Sequence, residues 1–239
     1  MSEPVFMAGT SGYQYGHWVG PFYPEDLSKD EWFAFYAQHF DVVEINNTYY
    51  GLPEVETFEN WRQRAPEGFT YVLKYSRYGS HLKKLKDPPD HIDTFLERAT
   101  HLRDLLGPIL VQLPPHWHAD RGRLEAFLDY APREHRWAVE FRDPDWLREE
   151  IFDVLRSHNS ALVIHDMIQD HPRVTTADWV YLRYHGGKRG EYTYQKMSAE
   201  ARRVEEYLDR GLDVYAFFNN DAHGWAVENV RQLIRYVDA

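Results

Sequence analysis

The stretch HRWAVEFRDPDW, residues 135–146, reads as a buried strand that carries two charged side chains. Side chains alternate between the two faces of a strand. Val139 and Phe141 therefore point one way, whereas Glu140 and Arg142 point the other. Because unpaired buried charges are costly, this second face must form ion pairs or line a polar pocket. The fold around the stretch decides between these.

Eight short apolar runs predict β-strands, and the quoted stretch contains one of them. The runs are Val5–Thr10, Val42–Asn46, Thr70–Tyr75, Ile109–Leu113, Arg136–Phe141, Ala161–His165, Trp179–His185 and Asp213–Phe218. The amphipathic stretches between them predict helices at Ser28–His39, Glu54–Arg64, Asp90–Leu106, Asp120–Tyr130, Asp145–Ser157, Ser198–Arg210 and Ala222–Val237. The sixth crossover, Gln169 to Asp178, is short and contains Pro172, so we expect its helix to be short or missing.

Strands that alternate with helices imply parallel pairing. Eight strands in 239 residues fit an α/β fold of the (β/α)8 TIM-barrel type, whose usual length is about 250 residues. A doubly wound open sheet is the alternative, but it would place a G-x-G-x-x-G turn after its first strand. The glycines of GTSGYQYG, at Gly9, Gly12 and Gly16, are spaced differently. Because no linker divides the chain, we expect residues 1–239 to form a single TIM-barrel domain.

The composition limits the classes of partner. Hydrophobic residues make up 43% of the chain and charged residues 27%, as in ordinary soluble proteins. The formal net charge of -11 disfavours nucleic acid and anionic membranes as partners. There are no cysteines, which excludes disulfides and thiolate metal sites and fits a cytoplasmic location. The start of the sequence has no signal-peptide pattern, and no stretch approaches the roughly 20 apolar residues of a membrane span.

Polar residues of several predicted strands share one alternation phase and lie near the C-terminal ends of those strands. They are Glu44, Lys74, Gln112, Glu140, Arg183 and His185. In a barrel this phase points into the lumen, and this end is the functional mouth. We therefore expect a shared polar pocket at the mouth. The alternative is an internal ion-pair network that merely closes the barrel.

Seven motifs follow one another along nearly the whole chain: GTSGYQYGHWVGPFYPE, DVVEINNTYYGLP, YVLKYSRYGSHLKKL, LVQLPP, AVEFRDPDW, YLRYHG and FFNNDAHGWAVENV. In this order they resemble the YecE-like TIM-barrel family, domain of unknown function 72. The resemblance implies a barrel fold and points to the same residues at the strand ends. It implies no established reaction, and because TIM barrels host many chemistries, function must be argued from the site.

An anionic ligand is the leading expectation. The seventh strand runs into HGGKRGEY, residues 185–192, where Gly186, Gly187 and Gly190 surround Lys188 and Arg189. Glycines let backbone N–H groups approach an anion, and the loops after strands seven and eight of such barrels often bind phosphate. A flexible, solvated loop is the alternative. With Arg142 and Arg183 nearby, we expect a phosphate, carboxylate or sulfate group.

Two catalytic schemes compete at this mouth. Glu44 and Glu140 could act as acid and base in glycoside cleavage, but the positions on strands four and seven carry Gln112 and Arg183 where carboxylates are expected. Lys74 could form a Schiff base if burial lowers its pKa. Glu44 on the neighbouring strand would raise that pKa, which favours an ion pair or an anion contact over an imine.

Metal and nucleic acid are the two other candidate ligands. His165, Asp166 and His185 could join the glutamates in binding zinc or manganese, so a divalent metal remains open, although no cofactor is strongly implied and we assign no metal ligand. Lys83, Lys84 and Lys86 follow Ser80–His81, and with Lys188, Arg189 and interleaved aromatic residues they could contact a phosphate backbone, as in a protein of endonuclease IV-like build. The acidic net charge favours a solvated loop instead.

We therefore predict an enzyme of hydrolase or lyase type that acts on a small, polar, anionic molecule at the barrel mouth. The predicted catalytic residues are Glu44, Glu140 and Lys74. The predicted ligand-binding residues are Tyr13, Asn46, Tyr49, Gln112, Arg142, Asp166, Arg183, His185, Asn219 and Asn220. A nucleic-acid-binding or nucleic-acid-processing protein and a non-catalytic ligand sensor are the alternatives.

Overall fold

Eight parallel strands close into a barrel in the order of the sequence in the computed structural model, which describes residues 3–186 and 190–237. The strands are β1 Phe6–Ser11, β2 Val42–Ile45, β3 Thr70–Lys74, β4 Leu106–Gln112, β5 Trp137–Glu140, β6 Ala161–His165, β7 Trp179–Tyr184 and β8 Asp213–Phe218. The barrel closes because β1 pairs with β8 as well as with β2. All eight predicted strands are confirmed. The largest shift is in β4, which begins at Leu106 instead of Ile109.

Helices surround the barrel, as a TIM barrel requires. They are α1 Trp32–Tyr36, α2 Asn47–Tyr50, α3 Val55–Arg64, α4 Pro88–Ala99, α5 Arg121–Tyr130, α6 Glu149–Ser157, α7 Tyr194–Asp209 and α8 Trp225–Val237. The capping box at Ser28 and Glu31 is present, although it opens a 3₁₀ turn that precedes α1. Residues 166–178, between β6 and β7, contain no helix, which confirms the expectation for the sixth crossover.

The predicted helix over Asp90–Leu106 divides into two segments. The α-helix ends at Ala99 and a 3₁₀ segment, Thr100–Leu105, continues to the start of β4. Arg103 within this segment has φ 55°, which breaks the regular helix. A residue with positive φ turns the chain, so the segment can deliver Leu106 into the sheet three residues earlier than predicted.

The two alternation phases of the strands meet different surroundings. One phase packs against the helices; Tyr71 of β3, for example, stacks on Trp61 of α3 with ring centroids 5.9 Å apart. The other phase forms a separate buried cluster in which strand residues predominate, including Val42, Ala138 and Tyr181, and this cluster fills the lumen. Two positions after these three residues, on the same face of each strand, lie the charged residues Glu44, Glu140 and Arg183, at the C-terminal ends of the strands. The predicted orientation of the polar phase is therefore confirmed.

Glycine is required at one position that brings two strands together. A Cβ atom at Gly9 of β1 would collide with the carbonyl oxygen of Val42 in β2. The two backbones can approach this closely only because Gly9 has no side chain.

No described helix has the length and apolar character needed to cross a membrane.

Candidate functional site

Arg183 lies at the centre of the barrel mouth and binds two carboxylates. Its Nη2 atom lies 2.7 Å from Oε1 of Glu44, and its Nη1 atom lies 2.5 Å from Oε2 of Glu140. The strands β7, β2 and β5 supply the three residues, and each side chain is at most 1% exposed. Side chains from separate strands meet here because they occupy the same level of the barrel near the C-terminal ends.

Each carboxylate has a second donor, so neither is left unpaired. The Tyr181 hydroxyl donates to Oε2 of Glu44 at 2.6 Å, and Nε of Arg142 donates to Oε1 of Glu140. Burial alone would raise the pKa of Glu140, but the charges of Arg183 and Arg142 outweigh it and hold this pKa well below its usual range. The carboxylates Glu44 and Glu140 keep the pKa of Arg183 above its usual value against the opposing effect of burial. The two glutamates and two arginines are therefore mutually compensating charges.

Lys74 lies beside this network without a carboxylate of its own. Its side chain faces the lumen from the end of β3 and the residue is 9% exposed. Among residues 3–186 and 190–237, no carboxylate oxygen lies within 4.0 Å of its Nζ atom, which instead lies 4.4 Å from the centroid of the Tyr49 ring. Burial, reinforced by the charge of Arg183, lowers the pKa of Lys74 to about 8.

This result corrects the sequence-based expectation for Lys74. Glu44 was expected to raise the pKa of the neighbouring lysine. Glu44 does raise this pKa, but its two oxygens are engaged by Arg183 and Tyr181, and its charge does not outweigh burial and the nearby guanidinium groups.

Hydrogen bonds extend from the buried charges to the outer mouth. The Nη2 atom of Arg142 lies 3.4 Å from Oε1 of Gln112 and 3.2 Å from Nε2 of His185. Nδ1 of His185 lies 3.3 Å from Asp166, which also accepts from the backbone N–H of His185. A neutral imidazole that accepts at Nε2 and donates at Nδ1 satisfies both contacts. Burial raises the pKa of Asp166, but hydrogen bonds from His185 and Tyr192 lower it more.

Two predicted ligand-binding residues lie elsewhere. Tyr13 is buried against α1, with its ring centroid 5.5 Å from that of Phe33, because it follows a turn at Gly12 (φ 90°) that directs the chain away from the lumen. Asn220 donates from Nδ2 to Oδ1 of Asn229 at 2.9 Å and thus belongs to the packing of α8. Tyr13 also lines the cleft that contains Asn46, and the predictions that Tyr13 covers and Asn220 orients a ligand stay predictions.

Three further predicted residues lie at the rim of the mouth. Asn46 is half-buried in a cleft of about 360 Å³ beside Tyr15 and Trp61. The ring of Tyr49 lies over Lys74, and Asn219 is half-buried directly after β8. The basic tip of the loop predicted to bind an anion, Gly187, Lys188 and Arg189, lies outside the described residues.

Several residues at the mouth were missed from the sequence. Tyr15 lies near the charges: burial raises its pKa, the charges of Asp221 and Glu44 raise it further, and the charge of Arg183 lowers it. Tyr181 shares the alternation phase of Arg183, so its position could have been used. His81 packs 5.2 Å from the ring of Tyr49, and burial with the charge of Lys74 lowers its pKa to about 4.

No group of three or more histidine and carboxylate residues in the described part of the chain could hold a metal ion. His165, a candidate ligand, has both ring nitrogens engaged by the backbone. Its Nε2 atom lies 2.8 Å from the carbonyl oxygen of Phe141, and Nδ1 accepts from the N–H of Met167 at 3.2 Å. These contacts require a neutral ring, and burial lowers the pKa of His165 to about 4. The histidine therefore supports the loops after β5 and β6.

The closed parallel barrel and the charged residues at its C-terminal mouth define a TIM barrel with a candidate site where this fold builds its active sites. Residues 7–239 match the family described as "Protein of unknown function DUF72", and the chain therefore belongs to that family. The resemblance inferred from the seven motifs is confirmed.

Relatives and solved structures agree with this assignment. The chain is 34% identical to the UPF0759 protein YecE of Escherichia coli strain K12 over 112 residues, which cover 46% of this chain and only 41% of that protein. It is 22% identical to the UPF0759 protein YunF of Bacillus subtilis strain 168 over 254 residues, which cover 90% of each chain.

Two solved structures of DUF72 family proteins share the fold. That from Thermotoga maritima MSB8 has a TM-score of 0.88 at 28% identity and covers 98% of this chain and 100% of its own. That from Enterococcus faecalis V583 has a TM-score of 0.82 at 20% identity over 98% of this chain and 96% of its own, which supports the fold alone.

Proposed function

We propose that this protein is an enzyme that takes a small anionic molecule at the C-terminal mouth of the barrel. One observation carries the proposal: three buried or half-buried cations, Lys74, Arg142 and Arg183, face two carboxylates, Glu44 and Glu140. The carboxylates are paired with the arginines, so the charge of Lys74 is left over. A phosphate, carboxylate or sulfate group of a ligand would compensate it.

The two glutamates suit positioning better than proton transfer. A general acid or base works best when its pKa lies near the working pH. The pKa of Glu140 lies far below that range because Arg183 and Arg142 stabilise its charge. Glu140 and Glu44 would therefore hold the guanidinium groups in place. Lys74, with a pKa of about 8, is a group at this mouth that can exchange a proton near neutral pH. This arrangement favours a lyase over a hydrolase.

A binding experiment tests the anion site. Phosphate, sulfate and acetate would be titrated into the protein by calorimetry, with Lys74→Met as the test variant and Lys29→Met, which removes an exposed lysine, as the matched control. A hydrogen bond to a charged group contributes about 1.5–3 kcal/mol, so Lys74→Met should weaken binding about 10- to 100-fold. Equal affinity of Lys74→Met and Lys29→Met, or no binding of any of the three anions, would contradict the proposal. Turnover of phosphate- or carboxylate-bearing compounds then separates an enzyme from a sensor, which would bind without turnover.

A nucleic-acid partner is the second candidate, favoured by the outer rim and not by the lumen. Tyr50 is 79% exposed and Tyr78 is 49% exposed. Lys83 lies over Tyr78, with Nζ 5.6 Å from the ring centroid, and Lys84 follows it. Exposed aromatic rings with adjacent lysines can stack on bases and contact phosphates. Salt-sensitive binding of a labelled oligonucleotide that is lost in Lys83→Glu/Lys84→Glu but retained in Lys74→Met would favour this candidate.

A further inference from the structure

Lys74 is held as a desolvated amine in a fixed position. It ends β3 on the lumen face, 9% exposed, and the ring of Tyr49 covers its Nζ atom at 4.4 Å. Tyr49 is itself held edge-on against His81, with ring centroids 5.2 Å apart. The amine therefore has little freedom to swing toward solvent, in contrast to a surface lysine.

The charges around Lys74 come from three other strands. Arg183 of β7 and Arg142 after β5 disfavour its protonation, whereas Glu44 of β2 and Glu140 of β5 favour it. The carboxylates lie against the arginines and not against the lysine, so burial and the cations prevail. A lysine that is desolvated or placed beside another cation is the usual form of an activated amine nucleophile. Since the pKa of Lys74 is about 8, the neutral amine at neutral pH is on the order of a hundredfold more abundant than for an ordinary lysine.

We infer that Lys74 forms an imine with its substrate, and that the substrate is a small aldehyde or ketone that carries a carboxylate or phosphate group. This inference rests on the proposed function, because the anionic group would compensate the positive charge that Lys74 brings to the mouth and that a protonated imine keeps, and contact with a cation at the outer mouth would orient that group. Arg142 is placed for that contact: its side chain is 15% exposed, and its Nη2 atom reaches the outer mouth beside Gln112.

The reaction needs no oxidant or reductant. The lone pair of the neutral Nζ atom attacks the carbonyl carbon, a C–N bond forms, and the C=O π electrons move to oxygen, which takes a proton. The nitrogen gives up one hydrogen as a proton, the oxygen takes a second proton and leaves as water with the electrons of the C–O bond, and the nitrogen lone pair forms the C=N bond. Overall, one amine, one carbonyl group and one proton from solvent give a protonated imine and one water molecule. The protonated imine can accept electron density when a neighbouring C–C or C–H bond breaks, which is the chemistry of a lyase.

Reductive trapping tests the inference on the intact protein. The protein would be mixed with pyruvate or with glycolaldehyde phosphate and reduced with borohydride, and the modified residue located by peptide mass spectrometry. We expect one adduct at Lys74, formed at least about tenfold faster than at the exposed Lys29, as the larger fraction of neutral amine requires. Lys74→Met should give no such adduct. Arg142→Met should slow labelling by pyruvate more than labelling by acetone, which has the carbonyl group without the anion; loss of the Arg142 charge, which favours the neutral amine, slows both.

Protection and pH dependence provide readouts that need no variant. Phosphate or sulfate should protect Lys74 from labelling by pyruvate, and the rate of labelling should rise with a midpoint at about pH 8. Labelling of Lys74 no faster than of Lys29, or a midpoint near the ordinary lysine value of 10.5, would overturn the inference. If calorimetry still shows that anions bind in that case, the proposed function stands without the imine. If anions neither bind nor protect, both are overturned.

Discussion

Replacing Arg183 with methionine should strongly destabilise the protein. Methionine keeps an unbranched apolar side chain but removes the guanidinium group that both Glu44 and Glu140 bind at 2.7 and 2.5 Å. Glu140 would retain Arg142, whereas Glu44 would keep only the hydroxyl of Tyr181. The variant therefore contains one buried carboxylate with no cation to compensate it.

The size of the effect follows from the burial of all three groups. Breaking a fully buried ion pair by removing one partner costs about 3–5 kcal/mol, because the other charge stays desolvated. For a chain of this length about 1 kcal/mol lowers the melting temperature by roughly 2–4 °C, so we expect a decrease of roughly 6–20 °C. Urea unfolding followed by far-UV circular dichroism gives the free energy of unfolding, and an unchanged m-value would show that the same surface is exposed.

A surface arginine provides the matched control. Arg156 on α6 also binds two carboxylates, Glu149 at 2.5 Å and Asp153 at 2.7 Å, but its side chain is 39% exposed. Since exposed ion pairs contribute about 0–1 kcal/mol, Arg156→Met should cost no more than that. The loss in Arg183→Met should be partly restored by a second change, Glu44→Gln, which removes the unpaired charge. Equal losses in the two single variants would refute the view that burial makes the Arg183 network costly to break.

Three further changes test other features of the fold. Tyr181→Phe removes the phenol that donates to Glu44 at 2.6 Å; unfolding in urea should show a loss of about 1.5–3 kcal/mol, the usual contribution of a hydrogen bond to a charged group. Gly9→Ala should cost about 1–3 kcal/mol or more because its Cβ would collide with the backbone of β2, whereas Gly51→Ala, which meets nothing within 4 Å and has extended backbone, should be near neutral in the same assay. The pKa of His165 is about 4 in the folded protein and 6.5 unfolded. Between pH 6.5 and about 4 the unfolded chain therefore binds more protons than the folded protein. The free energy of unfolding should fall as the pH drops through this range, by up to about 1.4 kcal/mol per pH unit. His165→Gln should flatten that slope in urea titrations.

The parts of the site that could be predicted from the sequence depend on local geometry. Alternation along a strand has a period of two residues, so the shared orientation of Glu44, Glu140 and Arg183 follows once the strands are recognised. Parallel pairing then brings the same ends of all strands to one rim. No knowledge of non-local packing is needed for either step.

The features of the site that could not be predicted have non-local causes. The choice between Tyr13 and Tyr15 depends on the turn at Gly12 and on aromatic packing against α1, which is far away in the sequence. The pKa of Lys74 depends on a competition for Glu44 between Lys74 of β3 and the β7 residues Arg183 and Tyr181. The order of the strands along the chain places Glu44 of β2 next to Lys74 of β3. Only the structure shows that Arg183 and Tyr181 already bind both carboxylate oxygens of Glu44.

An ion-pair network that only closes the barrel would account for the arginines and glutamates but not for Lys74. Replacing a compensated buried network with apolar residues is often neutral or even stabilising, so such a network by itself is weak evidence of function. Lys74 differs because it brings a further positive charge into a region where both carboxylates are already paired. Burial lowers the pKa of Lys74, which means that a protonated Lys74 at this position lowers the free energy of unfolding. An uncompensated buried lysine contributes nothing to closing the barrel, whereas an anion or a carbonyl carbon bound at the mouth would offset that cost.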